Sequence, residues 1–537
     1  MAGRVARRRA LHPAGEEASA RERILSERLE ALVRIGFVAG LIVVFGTLAF
    51  SRTAADTPYL PTAVTAAQLL AKANAAAGTL ASGSYLVIRQ VSGSDWKMLR
   101  MTQIVGNDSV TIEQEGLGLT QSWGTYHGQN WFRDENGIVM LESGFHDTAD
   151  PNSLAWQHVA DPQFHVRVLG LTQGSPSEYV VEANPPGGQD QYEYINAQTF
   201  RVDRVVTFEV DRRRHVTTYA DYRTAFGKTV AFDLHLSDGD PADDEEVRTT
   251  SFASTPTVDP AAVTMPTTTP MFSLQNGPVR LAARFTHDDG FVVGVQINGQ
   301  TLDFTLDTGS SELLLDEGAA RRLGLTISGG EAVASDVTFG NVHVHRVAFS
   351  VAPMTLSSGP HAHVVGLLGC DFLASAIVGF DFKTRQVTLN PWSGFDPHAL
   401  GVRAMPIQMD DCVPRVGASF EGVAGSFLLD TGGFGTLLYH HYLDRLPRAG
   451  VALRTGEASP QDLIFESVAG DVHSQIYDVQ NMIFGPLGYR TGQVVVPDSN
   501  QTFQDPDYDG IIGRNVLKEY LFYLDYNDGL LFIKDNT

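Results

Sequence analysis

The sequence predicts a mainly β protein with an N-terminal transmembrane helix, an antiparallel β domain that carries one helix, and a two-lobed β-barrel domain. Three observations lead to this prediction. One long apolar run lies near the N-terminus, short period-2 alternation of apolar residues follows it, and the C-terminal half contains an internal repeat. With 537 residues, 43% hydrophobic and 19% charged, the chain can bury several cores, which excludes a disordered protein.

Charge is distributed unevenly along the chain. Residues 1–52 contain nine Arg and five Glu, a net charge of +4, whereas the remainder contains 30 basic and 57 acidic residues, a net charge of -27. Binding to phosphate backbones normally needs a basic surface. The overall charge of -23 therefore argues against nucleic acid as a partner.

The basic residues 1–34 precede an uncharged run at 35–51. About 20 apolar residues span a bilayer, so this run, extended by Ala31 to Val33, predicts a transmembrane signal anchor. The excess of Arg before the run places the N-terminus in the cytoplasm and the bulk of the chain on the extracytoplasmic side. A signal peptide cleaved after Ser51 or Ala55 is the alternative. In either case the main body is expected to be exported.

Residues 56–253 are predicted to form the antiparallel β domain. Thr65 and Gln68 have the spacing of a capping box, which predicts a helix that begins there and stops at Gly78. Alternating runs between Tyr85 and Leu236 then predict antiparallel strands. The pattern of residues 194–223 resembles lipoprotein-carrier domains of the periplasm, and this resemblance implies a helix lying against a curved antiparallel sheet.

A Thr/Pro-rich stretch at residues 254–276 has no apolar periodicity and is predicted to be an extended linker. Downstream, the octapeptide at 304–311 recurs at 427–434, and the one at 366–373 recurs at 510–517. The order is the same both times, which indicates a duplication. We name the two copies lobe 1 (277–396) and lobe 2 (397–537).

Each copy begins with an apolar strand that ends in Asp-Thr-Gly, so Asp307 and Asp430 occupy equivalent turns. If the copies pack about a pseudo-twofold axis, the two carboxylates face each other. Carboxylates about 3 Å apart share one proton, and such a pair can activate water while it protonates a carbonyl oxygen. The sequence therefore predicts hydrolysis by a carboxylate dyad, without a metal, a cofactor or a covalent intermediate.

These paired motifs resemble the aspartic proteases, in particular retropepsin-like units fused in one chain as in pepsin-like enzymes. The resemblance covers residues 279–537 and implies a two-lobed fold of the acid-protease type, with Asp307 and Asp430 catalytic and a monomer sufficient for the site. It also implies that the two threonines lock the loops together and that the later glycines support them. The implied supporting residues are Thr308, Gly309, Ser310, Thr431, Gly432, Gly369 and Gly513.

Two departures from the family pattern stand out. Ser310 fits the family hydroxyl that bonds the first carboxylate, but lobe 2 has Gly433 at this place, so we expect Asp430 to be less well oriented than Asp307. The glycines at Gly329 and Gly330 suit a mobile flap, although the segment lacks the Tyr found in pepsin.

Cys370 and Cys412 are the two cysteines of the chain. A buried thiol at Cys370 and a disulfide between the two are both consistent with an exported protein. The His343/His345 and His361/His363 pairs have strand spacing, but exposed strand histidines are common, and no metal site is predicted.

The sequence thus predicts a membrane-anchored, exported aspartic endopeptidase that acts on peptide or protein substrates. Two alternatives belong to other functional classes. One is a peptide-binding module of the same fold without turnover. The other is a carrier of lipid or unfolded polypeptide in which the N-terminal domain has the main role.

Overall fold

The computed structural model describes residues 59–94, 96–114, 116–141, 155–184, 190–208, 214–241, 244–255, 260–275, 277–286, 290–354, 363–410, 412–448, 450–453, 464–467, 470–484, 487–489, 492–497 and 508–536. The predicted cytoplasmic segment and transmembrane anchor lie outside these ranges. Within them, no helix combines the length and the apolar character needed to cross a bilayer. The prediction of a mainly β protein is confirmed.

The first helix, α1 (Ala66–Ala77), begins and ends where the sequence predicts. The Thr65 hydroxyl accepts the Gln68 N–H and the Gln68 side chain accepts the Thr65 N–H, which is a complete capping box. The helix stops at Gly78, whose φ of 69° suits a residue without a Cβ. Leu69 and Ala73 pack against Trp156 and the strands below, so the helix covers one face of the first sheet.

Thirteen antiparallel strands form this first sheet, the large sheet, in the order β6-β5-β4-β3-β2-β1-β13-β12-β11-β10-β9-β8-β7. Strands that are neighbours in the sheet are consecutive in the sequence except where β1 pairs with β13, and the consecutive strands β6 and β7 form the two opposite edges. The strands are β1 (Ser84–Ser92), β2 (Lys97–Val105), β3 (Asp108–Gln114), β4 (Thr120–Tyr126), β5 (Gln129–Arg133), β6 (Val139–Leu141), β7 (Arg167–Leu171), β8 (Glu178–Ala183), β9 (Gln191–Asn196), β10 (Val202–Phe208), β11 (Arg214–Ala225), β12 (Lys228–Ser237) and β13 (Glu245–Ser254). Short 3₁₀ turns lie at Gly116–Gly118, Ala155–His158, Pro162–Phe164 and Pro260–Val263.

The sheet of lobe 1 has the order β15-β16-β17-β22-β18-β21-β20-β19. Its strands, together with those that lobe 1 gives to a separate sheet, are β14 (Val279–Arg280), β15 (Ala283–Phe285), β16 (Phe291–Ile297), β17 (Gln300–Leu306), β18 (Leu314–Asp316), β19 (Ile327–Ser328), β20 (Glu331–Phe339), β21 (Val342–Ala352), β22 (Val364–Leu368), β23 (Ile377–Asp381) and β24 (Gln386–Asn390). The helices are α2 (Glu317–Arg322), α3 (Cys370–Leu373) and α4 (Pro397–Leu400), the last at the junction with lobe 2.

The main path of the lobe 2 sheet is β30-β32-β35-β29-β36-β28-β27-β33-β34. The strands of this half are β25 (Arg403–Pro406), β26 (Gln408–Asp410), β27 (Val413–Phe420), β28 (Val423–Leu429), β29 (Thr436–Leu438), β30 (Val451–Leu453), β31 (Ile464–Ser467), β32 (Gly470–Val479), β33 (Met482–Phe484), β34 (Leu487–Tyr489), β35 (Gly492–Pro497), β36 (Gly510–Ile512), β37 (Tyr520–Asp525) and β38 (Leu530–Asp535), with helices α5 (His440–Leu443) and α6 (Arg514–Leu517).

The two lobe sheets share one connectivity. Six consecutive strands of lobe 1, β16-β17-β22-β18-β21-β20, match β27-β28-β36-β29-β35-β32 of lobe 2. In both, the strand before Asp-Thr-Gly pairs in parallel with the strand of the later glycine motif. A six-stranded sheet, β14-β24-β23-β37-β38-β25, takes strands from both lobes. The repeat seen in the sequence is therefore a repeat of topology.

One continuous apolar core runs through both lobes. Cys370 and Cys412 form a disulfide bond, with their Cα atoms 5.8 Å apart, and both are buried. This separation is normal for a disulfide. The bond joins the start of α3 in lobe 1 to the beginning of β27 in lobe 2, so of the two states considered for these cysteines the structure contains the disulfide.

The large sheet contacts lobe 1 directly. Asn136, in the loop after β5, exchanges hydrogen bonds with the backbone of Ala348 at 2.9 and 3.0 Å, and its Nδ2 donates to Asp371 at 2.7 Å. The stretch expected to be an extended linker also packs against the large sheet, because Val263 is buried and the Thr269 N–H donates to the Gly137 carbonyl at 2.8 Å.

Candidate active site

Asp307 and Asp430 lie at equivalent strand ends. Asp307 follows β17 and its N–H donates to the Leu368 carbonyl at 3.1 Å, while Asp430 follows β28 and its N–H donates to the Ile512 carbonyl at 3.0 Å. Each aspartate is thus held by the parallel strand that precedes a supporting glycine. The apolar residues before each aspartate are buried, so the strands are anchored and the carboxylates stand where the chain leaves the core.

The structure brings the two carboxylates together. The Asp307 and Asp430 side chains lie within hydrogen-bonding reach of each other. A Cβ placed on Gly309 would lie 2.8 Å from the Asp430 carboxyl carbon, and one on Gly432 would lie 2.3 Å from that of Asp307. Each glycine of the Asp-Thr-Gly motifs therefore leaves the space that the opposite carboxylate occupies.

Thr308 and Thr431 cross-link the two loops through four hydrogen bonds. The Thr308 N–H donates to the Thr431 hydroxyl at 3.1 Å, and the Thr431 N–H donates to the Thr308 hydroxyl at 2.9 Å. Each hydroxyl in turn donates into the other lobe, to Leu429 at 2.6 Å and to Leu306 at 3.0 Å. Both threonines are buried, so the cross-link forms away from water, where hydrogen bonds are electrostatically stronger.

Gly369 and Gly513 lie directly behind the loops. A Cβ on Gly369 would lie 2.2 Å from the Glu312 carbonyl oxygen, and one on Gly513 would lie 2.3 Å from that of Gly435. Backbone therefore packs against backbone at both positions, which only glycine permits. This is the supporting position that the sequence predicts for both residues.

The expectation for Ser310 is wrong. Its hydroxyl donates to the Glu312 carbonyl at 2.9 Å instead of bonding a catalytic carboxylate. Backbone N–H groups orient the carboxylates, since Gly309 donates to Asp307 at 2.8 Å and Gly433 donates to Asp430 at 2.7 Å. Gly433 consequently supplies an N–H in place of the missing hydroxyl, and Asp430 is not left without orientation.

The pKa of Asp307 is raised well above its usual value. Burial is the main cause, followed by the charge of Asp430 and the hydrogen bond between the two side chains, while the Gly309 N–H and the Arg514 charge act in the opposite direction. Removing a carboxylate from water and placing a second one beside it both disfavour ionisation. Asp307 is thus suited to hold the proton of the pair.

Two neighbours of the dyad were not predicted. The Arg514 guanidinium is 2% exposed and donates to the Thr431 carbonyl at 3.2 Å, directly beneath the loops. The Tyr526 hydroxyl is buried, has no hydrogen-bond partner among the described residues, and has its pKa raised by burial and by the charge of Asp307. Arg514 has a sequence signal in retrospect, because a charged residue directly after a buried apolar motif must find an internal partner.

Gly329 and Gly330 form the turn between β19 and β20, with φ values of 61° and 83°. Only two residue pairs join these strands, Ile327 with Ala332 and Ser328 with Glu331. The equivalent hairpin of lobe 2 has four pairs, between β31 and β32. The turn predicted as a flap exists as a very short hairpin, and its role stays a prediction.

Of the two histidine pairs noted in the sequence, the structure describes both members of the first. His343 and His345 are exposed on β21, and Asp336 of β20 lies next to them. His361 lies outside the described residues.

A protein-family model matches the part of lobe 1 that contains the first copy of the repeat. Residues 293–372 match the model of the aspartyl protease family, a stretch that contains Asp307 and Gly369. No curated protein sequence matches the chain.

Among solved structures, the similarities are weak. A putative outer membrane lipoprotein-sorting protein domain from Vibrio parahaemolyticus has 11% identity and a TM-score of 0.30, covering 36% of this chain and 94% of its own. A LolA superfamily protein from Nitrosomonas europaea has 15% identity and a TM-score of 0.30, covering 38% and 99%. An aspartic proteinase from Irpex lacteus has 14% identity and a TM-score of 0.30, covering 48% and 97%. The functional argument therefore rests on the residues of this chain.

Proposed function

We propose that the protein is a membrane-anchored, exported aspartic endopeptidase with a two-lobed fold of the acid-protease type. The observation that carries the proposal is the cross-linked carboxylate pair, Asp307 and Asp430, supported by a threonine and a glycine from each lobe. The aspartate, the threonine and the supporting glycine each occur once in each lobe. A single Asp-Thr-Gly turn would have no such partner.

The mechanism follows from the unequal surroundings of the two carboxylates. Asp307, whose pKa is raised, holds the shared proton and donates it to the carbonyl oxygen of the scissile peptide. Asp430, oriented by the Gly433 N–H, takes a proton from the attacking water. The tetrahedral intermediate then collapses: the proton on Asp430 passes to the leaving amine, the C–N bond breaks, and a hydroxyl of the intermediate returns its proton to Asp307 as the carbonyl forms again. Activity should fall as the pH rises through the raised pKa of Asp307, because the pair then loses the shared proton.

The proposal is tested with the full-length chain in detergent. Denatured casein is incubated between about pH 3 and pH 7 with the wild type, Asp307→Asn, Asp430→Asn and the double variant. We expect each substitution to lower the cleavage rate by about 10²- to 10⁴-fold, the range of a general acid–base group. Asp535→Asn, an exposed aspartate at the end of β38, is the matched control and should cleave like the wild type.

Equal cleavage by the wild type and the double variant would refute the proposal that the protein is an endopeptidase. If the wild type does not cleave but retains labelled casein peptides, the peptide-binding module without turnover is the better description.

The large sheet supports a second candidate function, that of a carrier of lipid or unfolded polypeptide. A cavity of about 450 Å³ lies between β3, β4, β5 and the segment 262–269, and Val110, Ile112 and Trp131 form part of its lining. Ser122, Arg133 and three threonines also line it, so the cavity suits an amphipathic ligand with an apolar chain and a polar group. Displacement of an apolar fluorescent dye from the full-length chain tests it. Trp131→Arg, which fills the cavity with a charge, should abolish dye binding, and binding unchanged by this variant would count against the carrier.

A further inference from the structure

The hairpin of β20 and β21 presents two imidazoles on one exposed face. The strands join at a tight turn, in which Gly340 has a φ of 62°. Val342 and Val344 point into the core, so His343 and His345 alternate outward with side-chain exposures of 50% and 89%. Both rings therefore stand on the same side of one strand, with their centroids 5.0 Å apart.

A carboxylate from the opposite strand completes the group. Ser335 pairs with Arg346 and Val337 with Val344, so Asp336 lies between them, opposite His345. Its side chain is 74% exposed. The Asp336 Oδ1 atom lies 3.4 Å from His345 Nδ1 and 3.7 Å from His343 Nε2. One ligand atom from each residue lies within 4.8 Å of the other two.

The two distances from Asp336 are close to those of a tetrahedral zinc site. Zinc binds imidazole nitrogen and carboxylate oxygen at about 2.0–2.2 Å, so neighbouring ligand atoms in a tetrahedron are about 3.3–3.6 Å apart. Both distances from Asp336 are within a few tenths of an ångström of this range. Small rotations of exposed side chains would therefore close the site without moving the backbone.

The remaining nitrogen of His343 has a partner of the kind seen around bound metals. The Thr338 hydroxyl lies 3.5 Å from His343 Nδ1. A proton on Nδ1 directed at this oxygen leaves the lone pair on Nε2, the nitrogen that faces Asp336. The Thr338 hydroxyl is therefore placed to accept the Nδ1 proton when a metal ion binds Nε2.

We propose that Asp336, His343 and His345 bind one divalent transition-metal ion of the zinc class, with water in the remaining position. Imidazole and carboxylate together suit Zn²⁺, Ni²⁺ and Cu²⁺ better than Mg²⁺ or Ca²⁺, which prefer oxygen ligands alone. This site is independent of the proposed peptidase function, because the carboxylate dyad uses none of its three residues. It also revises the expectation, drawn from spacing alone, that His343 and His345 bind no metal.

Other histidine–carboxylate pairs in the chain provide a matched control. His127 lies 3.7 Å from Asp108 on an exposed turn and is 74% exposed, but this pair has one imidazole. A single imidazole and a carboxylate form an ordinary ion pair with little tendency to hold a metal. His127→Ala therefore removes a comparable exposed pair without touching the proposed site.

The experiment is isothermal titration of ZnCl₂ into the full-length protein, purified without a histidine tag, at about pH 7.5. We expect one Zn²⁺ per chain. His345→Ala, His343→Ala and Asp336→Asn should each weaken binding at least tenfold, and His127→Ala should leave it unchanged. Binding should be lost at about pH 5, where imidazole is protonated and cannot act as a ligand.

Circular dichroism without metal checks that the exposed substitutions leave the fold intact. In the wild type, saturating Zn²⁺ should also raise Tm, whereas the His343→Ala/His345→Ala variant should show no shift. The proposal is overturned if the wild type binds no zinc at about 0.1 mM, or if the double variant retains the stoichiometry and affinity of the wild type.

Discussion

Lobe 1 and lobe 2 share the same strand connectivity, but they differ at the residues that follow the shared Asp-Thr-Gly and glycine motifs. Each lobe places an aspartate, a threonine and a supporting glycine at the same strand ends. After the first aspartate, however, lobe 1 has Ser310 where lobe 2 has Gly433. After the supporting glycine, lobe 1 has Cys370 and Asp371, and lobe 2 has Arg514 and Asn515.

The differences follow from what each lobe packs against. Asp371 accepts a hydrogen bond from Asn136 of the large sheet, whereas its counterpart Asn515 bonds within lobe 2, to Thr436 at 2.8 Å and Gln493 at 2.9 Å. Cys370 forms the disulfide between the lobes, and Arg514 puts a buried charge beneath the dyad. Residues that face the other lobe symmetrically are thus kept in both copies, and residues that face unlike neighbours have diverged.

The largest expected effect comes from exchanging the residues that follow the two Asp-Thr-Gly motifs. A Cβ on Gly433 would lie 2.5 Å from Asp430 Oδ2, so Gly433→Ser must displace that carboxylate. Displacement of a reacting group by about 1 Å can lower activity roughly 100-fold. Ser310→Gly removes one hydrogen bond within its own loop, which contributes about 1 kcal/mol, and should change kcat little.

Steady-state cleavage of a peptide substrate by the two variants measures this contrast. Gly433→Ala serves as a control for the added hydroxyl, because it introduces the Cβ alone and should be impaired in the same way. If Gly433→Ser keeps wild-type activity, the two loops are interchangeable and the described orientation of Asp430 is incorrect.

A smaller effect is expected where the lobes contact different neighbours. Asn136→Ala removes three hydrogen bonds between the large sheet and lobe 1 and leaves the Ala348 peptide groups partly unpaired, so the free energy of unfolding should fall by about 2–3 kcal/mol. Asn515→Ala removes two bonds at a more exposed place and should cost about 1 kcal/mol. Urea unfolding of both variants tests the order, and equal losses would show that the contact with the large sheet adds nothing.

Much of the site could be predicted because its parts are local. Asp-Thr-Gly after an apolar strand specifies a tight turn, and the repeat implies that Asp307 and Asp430 face each other across a pseudo-twofold axis. The resemblance to the aspartic proteases implies the cross-link between Thr308 and Thr431. The capping box at Thr65 is equally local. Such features depend on neighbouring residues and on one assumption about symmetry.

The remaining features depend on partners that are distant in the sequence. The Ser310 hydroxyl donates to the backbone of its own loop, and the Gly309 N–H bonds the Asp307 carboxylate in its stead. Nothing local connects Asn136 with Asp371, and the role of Asp336 beside His343 depends on the register of two strands. The partner of a side chain could not be predicted from the sequence where the fold brings together several possible partners from distant segments.

The last contrast between the lobes concerns pH. Burial, together with the charge of Asp371, raises the pKa of Glu312 to about 8, although the Ser350 hydroxyl donates to its carboxylate and lowers it. The equivalent position of lobe 2 is Gly435, and that of Asp371 is Asn515, so lobe 2 has no carboxyl group at either place. The free energy of unfolding should therefore depend on pH through these carboxyl groups of lobe 1, and lobe 2 should make no equivalent contribution.

The sign follows from proton binding. Between about pH 4.5 and pH 8 the folded state keeps the Glu312 proton and the unfolded chain releases it, so the free energy of unfolding falls as the pH rises, by up to about 1.4 kcal/mol per pH unit. Below this window the contribution is fully present, and above it the contribution is lost. Glu312→Gln cannot ionise and should flatten the slope, whereas Glu519→Gln, at an exposed position, should not. Urea unfolding at several pH values tests this. An unchanged slope in Glu312→Gln would mean that Glu312 is already ionised in the folded protein and is not the source of the asymmetry.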